Sequence, residues 1–273
     1  MGAAESTSSK RQVDQSEGTY EYHEAYEEEE EEVDDFNEDE DELDSVRGLR
    51  VMRVWPGSPA ARAGLTPFED FILLPQPGDA EPGETDEVPE NDGAASAQMA
   101  RWIEAHQGRD LALRVWNGVD REGRTVSLRP ERSAGPGLLG AAVRLEPLKG
   151  ACEGFWHVLH VQPTSPAAEA GLLPNSDYIL GTPQHAFREP KEFMQLVTEC
   201  HRNSAPTILA IYSSATGRHR EIELTPRRDW GGRGLVGAEL ANGALHRIPR
   251  RTSQSSHERR RRASSSPNLL RET

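Results

Sequence analysis

Residues 58–73 read SPAARAGLTPFEDFIL, and residues 165–180 read SPAAEAGLLPNSDYIL. Eleven of the sixteen positions are identical at a constant offset of 107. Val51 and Val54 answer Val158 and Val161 at the same offset. Further on, Leu113-Arg114-Val115-Trp116 answers Leu209-Ala210-Ile211-Tyr212, and Gly137-Leu138-Leu139-Gly140 answers Gly234-Leu235-Val236-Gly237. Four ordered matches make a duplication. A period near 100 residues suits a small domain and is too long for a solenoid repeat.

Each copy has a local logic. Leu49 to Val54 and Trp156 to Val161 are expected as strands. Ser58 and Ser165 suit a helix N-cap, with Pro59 and Pro166 at the first helical position, where a missing N–H costs nothing. Gly64 and Gly171 suit the left-handed residue that closes so short a helix. Strands return at Asp70–Leu73 and Asp177–Leu180. A longer helix follows, over Ala94–His106 with Met99, Trp102 and Ile103 on one face, and over Lys191–His201 with Phe193, Leu196, Val197 and Cys200. Two more strands come next in each copy, at Asp110–Trp116 and Thr125–Leu128, then at Thr207–Tyr212 and Arg220–Leu224. A last strand begins at each Gly-Leu-x-Gly. The first copy alone carries an irregular Pro-, Gly- and acid-rich stretch, Pro75–Gly93, read as a surface loop.

Charge is segregated along the 273 residues. Residues 1–45 hold 19 Asp and Glu against Lys10 and Arg11, and from Arg250 onward seven Arg stand against Glu258 and Glu272. The formal net charge of −15 leaves the middle with only a few excess negative charges. Glu27–Glu32 and the acids that follow repel one another and offer little apolar surface to offset the ordering entropy. Residues 1–45 are therefore expected to be disordered, as a solvated spacer or as an acidic docking tail. Cys152 and Cys200 form no C-x-x-C pair, which suits reduced thiols. No apolar run approaches the ~20 residues of a membrane span.

The repeated S-P-A-x-x-A-G-L-x-P-x-x-D-[FY]-I resembles the Golgi reassembly stacking proteins, the GRASP family. So do Trp156-His157-Val158-Leu159, Trp230-Gly231-Gly232 and Leu245-His246-Arg247-Ile248-Pro249 in the second copy. The resemblance covers roughly residues 47–250. It implies an α+β chain of two tandem PDZ-like domains. Each is a small, partly open β-barrel with two helices in the permuted strand order of bacterial PDZ domains. The expected boundaries are 46–148 and 149–249, between the acidic segment 1–45 and a disordered basic Ser/Arg-rich tail, 250–273.

A PDZ groove lies between a strand edge and a helix; a peptide adds as a strand, and backbone amides of a turn capture its terminal carboxylate. The candidate loops are Leu138, Leu139, Gly140 and Ala141, and Leu235, Val236, Gly237 and Ala238. Their glycines let a backbone approach a ligand closely, or else serve only a β-turn. The second copy carries the family's Trp-Gly-Gly turn. The first has Ser133-Ala134-Gly135-Pro136 there, which marks it for altered partner choice.

Met1-Gly2-Ala3-Ala4-Glu5-Ser6 fits the myristoylation pattern, with Gly2 as acceptor. The resemblance implies a peripheral protein on the cytosolic face of Golgi membranes, with a cytoplasmic pool. It also implies binding to C-terminal peptides of golgin-type coiled-coil partners, and self-association that links cisternae. One myristoyl chain binds membranes only marginally, and acidic neighbours are repelled by anionic lipid, so a second attachment is expected. The alternative is a soluble PDZ scaffold without a membrane role.

Some family members hold zinc at positions that align here with Arg50, Met52 and Glu146. Arg does not ligate zinc and Met does so poorly, so no metal and no cofactor is expected. His157 and His160, read as sharing one face of a strand, lack a third ligand. No G-x-S-x-G, P-loop or H-E-x-x-H occurs, so the chain is read as non-enzymatic. A remnant of a PDZ protease would have no room for its catalytic domain. Ser253, Ser264 and Ser265 in the tail are candidate targets of Arg-directed kinases. The four consecutive arginines Arg259–Arg262 could meet an acidic surface, and no nucleic acid partner is expected.

Overall fold

A computed structural model describes residues 46–75 and 92–250. Gly2, the acidic segment 1–45, loop residues 76–91, and Ser253, Ser264 and Ser265 lie outside the described residues. The first module runs β1 (Arg47–Val54), α1 (Pro59–Arg62), β2 (Asp70–Leu73), α2 (Asp92–Ala105), β3 (Leu111–Asn117), β4 (Glu122–Leu128) and β5 (Ala141–Pro147). The second repeats it with β6 (Trp156–Val161), α3 (Pro166–Glu169), β7 (Asp177–Thr182), β8 (His185–Ala186), α4 (Pro190–Arg202), β9 (Thr207–Ser213), β10 (Arg218–Leu224) and β11 (Ala238–Ala241).

Both sheets are antiparallel with the same permuted order, β4-β3-β2-β1-β5 and β10-β9-β7-β6-β11. The first strand of each module sits inside its sheet, and the last returns to pair beside it as an edge. The fold is the expected α+β pair of PDZ-like modules. Several strands run one to three residues past their expected ends, β4 the furthest, and one short strand was not expected. Glu122, Gly123 and Arg124 extend β4 by pairing with Asn117, Trp116 and Val115, although these exposed residues carry no hydrophobic signal. The short β8 arises from a hairpin on β7.

The repeated motif is a folding device. Ser58 and Ser165 are extended residues whose hydroxyls accept the N–H of Ala61 and Ala168, at 3.1 and 3.2 Å. At the motif's other end, Asp70 and Asp177 are fully buried. Asp70 Oδ2 accepts the Thr66 N–H and Asp177 Oδ2 the Leu173 N–H, each at 2.7 Å. Arg124 of β4 and Arg220 of β10 reach back to these carboxylates with both terminal nitrogens. The same two arginines donate to the carbonyls of Gly64 and Gly171, which close the short helices. One carboxylate thereby ties turn, helix end and distant hairpin together.

Each module has its own core. Leu49, Val51, Ile72, Leu113 and Val115 meet Met99, Trp102 and Ile103 of α2. Val158, Ile179, Leu209 and Ile211 meet Phe193 and Val197 of α4. The opposite faces of the two sheets pack together: Met52, Phe68 and Val119 join Tyr178, Leu180, Ala210 and Tyr212 in a third buried cluster. Each fully buried side chain of that kind contributes about 1.5–3 kcal/mol, so the modules form a single folded body.

Charge is also buried between them. Arg50 is 0 % exposed, lies over the Phe71 ring at 4.6 Å, donates to the Ala151 carbonyl and has its Nε 3.4 Å from Glu146 Oε2. Arg188 of the second module reaches the same carboxylate at 3.5 Å and donates to the carbonyls of Pro147 and Lys149. The three positions aligned with zinc ligands thus hold an ion pair and an apolar residue. Burial pulls the Arg50 guanidinium below its ordinary value; Cys152 and Glu146 work against that, and Arg188 adds to it.

Cys152 lies in this environment. Burial pushes its thiol up to about 11, and Arg50, Arg121, Arg188 and Arg247 offset only part of the effect. At pH 8 its thiolate fraction is lower by about 100-fold than that of a thiol at the reference value. Alkylation by iodoacetamide, followed by mass spectrometry of the Cys152 peptide, should be slower by at least that factor. The folded thiol holds its proton more tightly than the unfolded one, so this group's contribution is full below pH 9.0 and is lost as pH rises towards about 11.

Candidate peptide-binding loops

The loops before β5 and β11 are built alike, and their construction leaves one set of groups unspent. In the first module the carbonyls of Leu138, Leu139 and Gly140 accept the N–H groups of Glu131, Ala60 and Trp55, at 2.9, 2.9 and 3.0 Å. In the second, those of Leu235, Val236 and Gly237 accept from Arg227, Ala167 and Gln162, at 3.0, 2.9 and 2.9 Å. The amides of the same six residues donate to no protein group among the described residues. The loops are thus held by their carbonyls, while their N–H groups are unspent among the described residues. Successive amides of this kind form an anion-binding concavity.

Geometry fixes Gly140 and Gly237. They have φ of +63° and +70°, and a Cβ at Gly140 would overlap the Ala134 carbonyl and Ser58 Cβ. A Cβ at Gly237 would overlap Ser165 Cβ and come 2.8 Å from the Trp230 ring. The loop is therefore locked onto the N-cap of the short helix, so the Gly-Leu-x-Gly turn and the Ser-Pro motif form one unit. The side chains of Leu138, Leu139 and Val236 are buried in the cores. A ligand at these loops would meet backbone rather than side chains, and Gly140 and Gly237 are themselves buried.

Next to each loop is an edge strand with one described partner, β5 on β1 and β11 on β6. Beside β5 the half-buried Ala141 and Leu145 border the core that holds Met99 and Trp102 of α2, and Val143 is 38 % exposed. Beside β11, Leu235, Ala238 and Leu240 border the core that holds Phe193 and Val197 of α4. An open strand edge flanked by a part-exposed apolar strip and an amide-lined end is the arrangement that accepts an extended peptide by its C-terminus.

The first module, which lacks Trp-Gly-Gly, has a stand-in from another part of its chain. In the second module the Trp230 ring packs on Gly232 and Gly237, and its Nε1–H donates to the Gly234 carbonyl at 3.1 Å. In the first, Trp55, contributed by the end of β1, packs on Gly135 instead. Arg53 lies over the Trp55 ring at 5.3 Å, and its equivalent in the second module is His160. A second inversion is electrostatic: Arg62 pairs with Glu131 in the first module, and Glu169 pairs with Arg227 in the second. The Arg227 hydrogen bond holds Glu169 below the usual carboxylate range. The two grooves share a backbone frame but differ in charge around it.

His157 stacks on Tyr178 at 4.5 Å and lies 5.8 Å from the His246 ring. His160 is exposed and pairs with Glu239 after an irregularity in the β6–β11 register. No group of three His, Cys, Asp or Glu able to hold a metal occurs among the described residues.

Duplicated permuted sheets with amide-presenting loops define a tandem PDZ-like protein. The family described as the GRASP55/65 PDZ-like domain matches residues 40–140 and again 113–251, and the chain belongs to it. It is 38 % identical to mouse Golgi reassembly-stacking protein 1 over 203 residues, 74 % of this chain and 42 % of that protein. The human protein of that name is 38 % identical over 193 residues, covering 70 % and 40 % of the two chains. An uncharacterized protein of Schizosaccharomyces pombe is 36 % identical over 111 residues, 41 % of this chain and 32 % of that protein. The chain thus spans well under half the length of these relatives.

Proposed function

We propose that this chain is a non-enzymatic tether and adaptor of the Golgi. In this reading it binds the C-terminal tails of golgin-type partners and self-associates to link cisternae. The reading rests chiefly on the two sets of unspent loop amides, each beside an open strand edge. The name shared by the mouse and human relatives supports a role in Golgi stacking or reassembly. No helix among the described residues is long and apolar enough to cross a membrane. Attachment to the cytosolic face is assigned to a myristoyl group on Gly2 together with a partner protein.

The test of the peptide mode is a titration with fluorescent C-terminal peptides selected from a random library. Converting the terminal carboxylate to an amide should weaken binding by at least about tenfold, because a charge-assisted contact to backbone N–H groups is lost. Equal binding of both forms would rule out carboxylate capture. The soluble-scaffold alternative is separated by Gly2→Ala: loss of the protein from the membrane pellet supports the tether, and unchanged pelleting removes the lipid from the account.

A further inference from the structure

A cleft of about 420 Å³ opens between the modules, lined by Leu148–Glu153 on one side and by Arg247–Arg250 on another. Its cationic lining residues are Arg121, Lys149, Arg247 and Arg250, against Glu153 alone. Val119 and Phe155 give it an apolar wall. This is neither of the loop-and-strand grooves described above.

We propose that the acidic strip at residues 38–44 of this chain docks in that cleft. Three observations select this occupant. The strip reads Glu-Asp-Glu-Asp-Glu-Leu-Asp, six carboxylates around one leucine. That composition matches a cationic rim over an apolar wall. Its point of attachment is at the cleft, since the carbonyl of Val46, two residues beyond Asp44, accepts the N–H of Leu148, a cleft residue, at 3.1 Å. At about 3.3–3.6 Å per extended residue, the whole strip stays within reach of the opening. The other terminal segment is unsuited, because residues 250–273 carry seven Arg against two acids and would meet like charge.

The test uses the full chain and zero-length carbodiimide coupling at low ionic strength. Lys149 is one of three lysines in the sequence, with Lys10 and Lys191, so its products are readily assigned. The expected product joins Lys149 to a carboxylate of residues 38–44 within one molecule, and its yield falls at least fivefold in 0.5 M NaCl, where charge is screened within a few ångströms. Coupling of Lys149 to Glu153 alone, or a link found only between isotopically distinct copies in a mixed sample, overturns the proposal. A second reading uses a variant with the six acids replaced by Gln or Asn. Amide exchange at residues 149–153 and 247–250 should rise at least threefold in that variant, and unchanged exchange overturns the proposal.

Discussion

Gly140→Ala should destabilise the first module by about 3–5 kcal/mol and remove peptide binding at its groove. The methyl group meets two independent penalties. A φ of +63° costs an L-residue roughly 1–2 kcal/mol. The added Cβ also overlaps the Ala134 carbonyl and the Ser58 side chain, neither of which is a flexible tip. Relief by backbone movement costs about 1–3 kcal/mol, and displacing Ser58 sacrifices an N-cap worth about 1 kcal/mol. Gly137 in the same loop supplies the control: its φ is +67°, and a Cβ there meets nothing within 4 Å. Gly137→Ala should therefore show the conformational penalty alone. Urea unfolding followed by tryptophan fluorescence gives both values. Equal losses for the two variants would show that loop packing against Ser58 contributes nothing.

That comparison also marks what local sequence could reveal. The Ser-Pro start and the glycine close of the short helices were legible because they depend on neighbours three or four residues away. The continuous apolar runs Tyr178-Ile179-Leu180 and Leu209-Ala210-Ile211-Tyr212 carried a further signal. Strands without polar alternation are buried on both faces, and the second face here is the contact with the first module. Trp55 was not legible as the counterpart of Trp230, since it enters the same place from the end of β1 and not from the turn before the last strand. Arg50 and Glu146 are 96 positions apart, and nothing in either local pattern announces a buried ion pair. The candidate loops were found by repetition, but the direction of their hydrogen bonds was not. Whether a Gly-Leu-x-Gly turn spends its carbonyls or its amides depends on Ala60, Trp55 and Glu131, which come from three other segments.

The second large effect is expected at Asp177, the last polar residue of the repeated motif. Asp177→Ala should destabilise the second module by about 3 kcal/mol in urea or thermal unfolding. The carboxylate is fully buried and serves the Leu173 N–H and both terminal nitrogens of Arg220. Removing one partner of a buried pair costs about 3–5 kcal/mol because the other charge is left uncompensated. Arg220 is one-third exposed and keeps its bond to the Gly171 carbonyl, so the lower end of that range applies. Asp177→Asn retains an acceptor for Leu173 and should lose only about half as much. The duplicate position makes a sharper comparison. Asp70 bears the same contacts and also accepts Asn117 Nδ2 at 2.7 Å, and Asn117 in turn accepts the N–H groups of Val119 and Asp120. Asp70→Ala should therefore exceed Asp177→Ala by about 1 kcal/mol, the worth of one more hydrogen bond. If Asp177→Ala falls below 1 kcal/mol while its Arg220→Leu partner is equally mild, the motif's aspartate is not the tie between turn and hairpin. A double-mutant cycle on Asp177 and Arg220 should instead return a coupling of at least about 2 kcal/mol, since the two groups share one site.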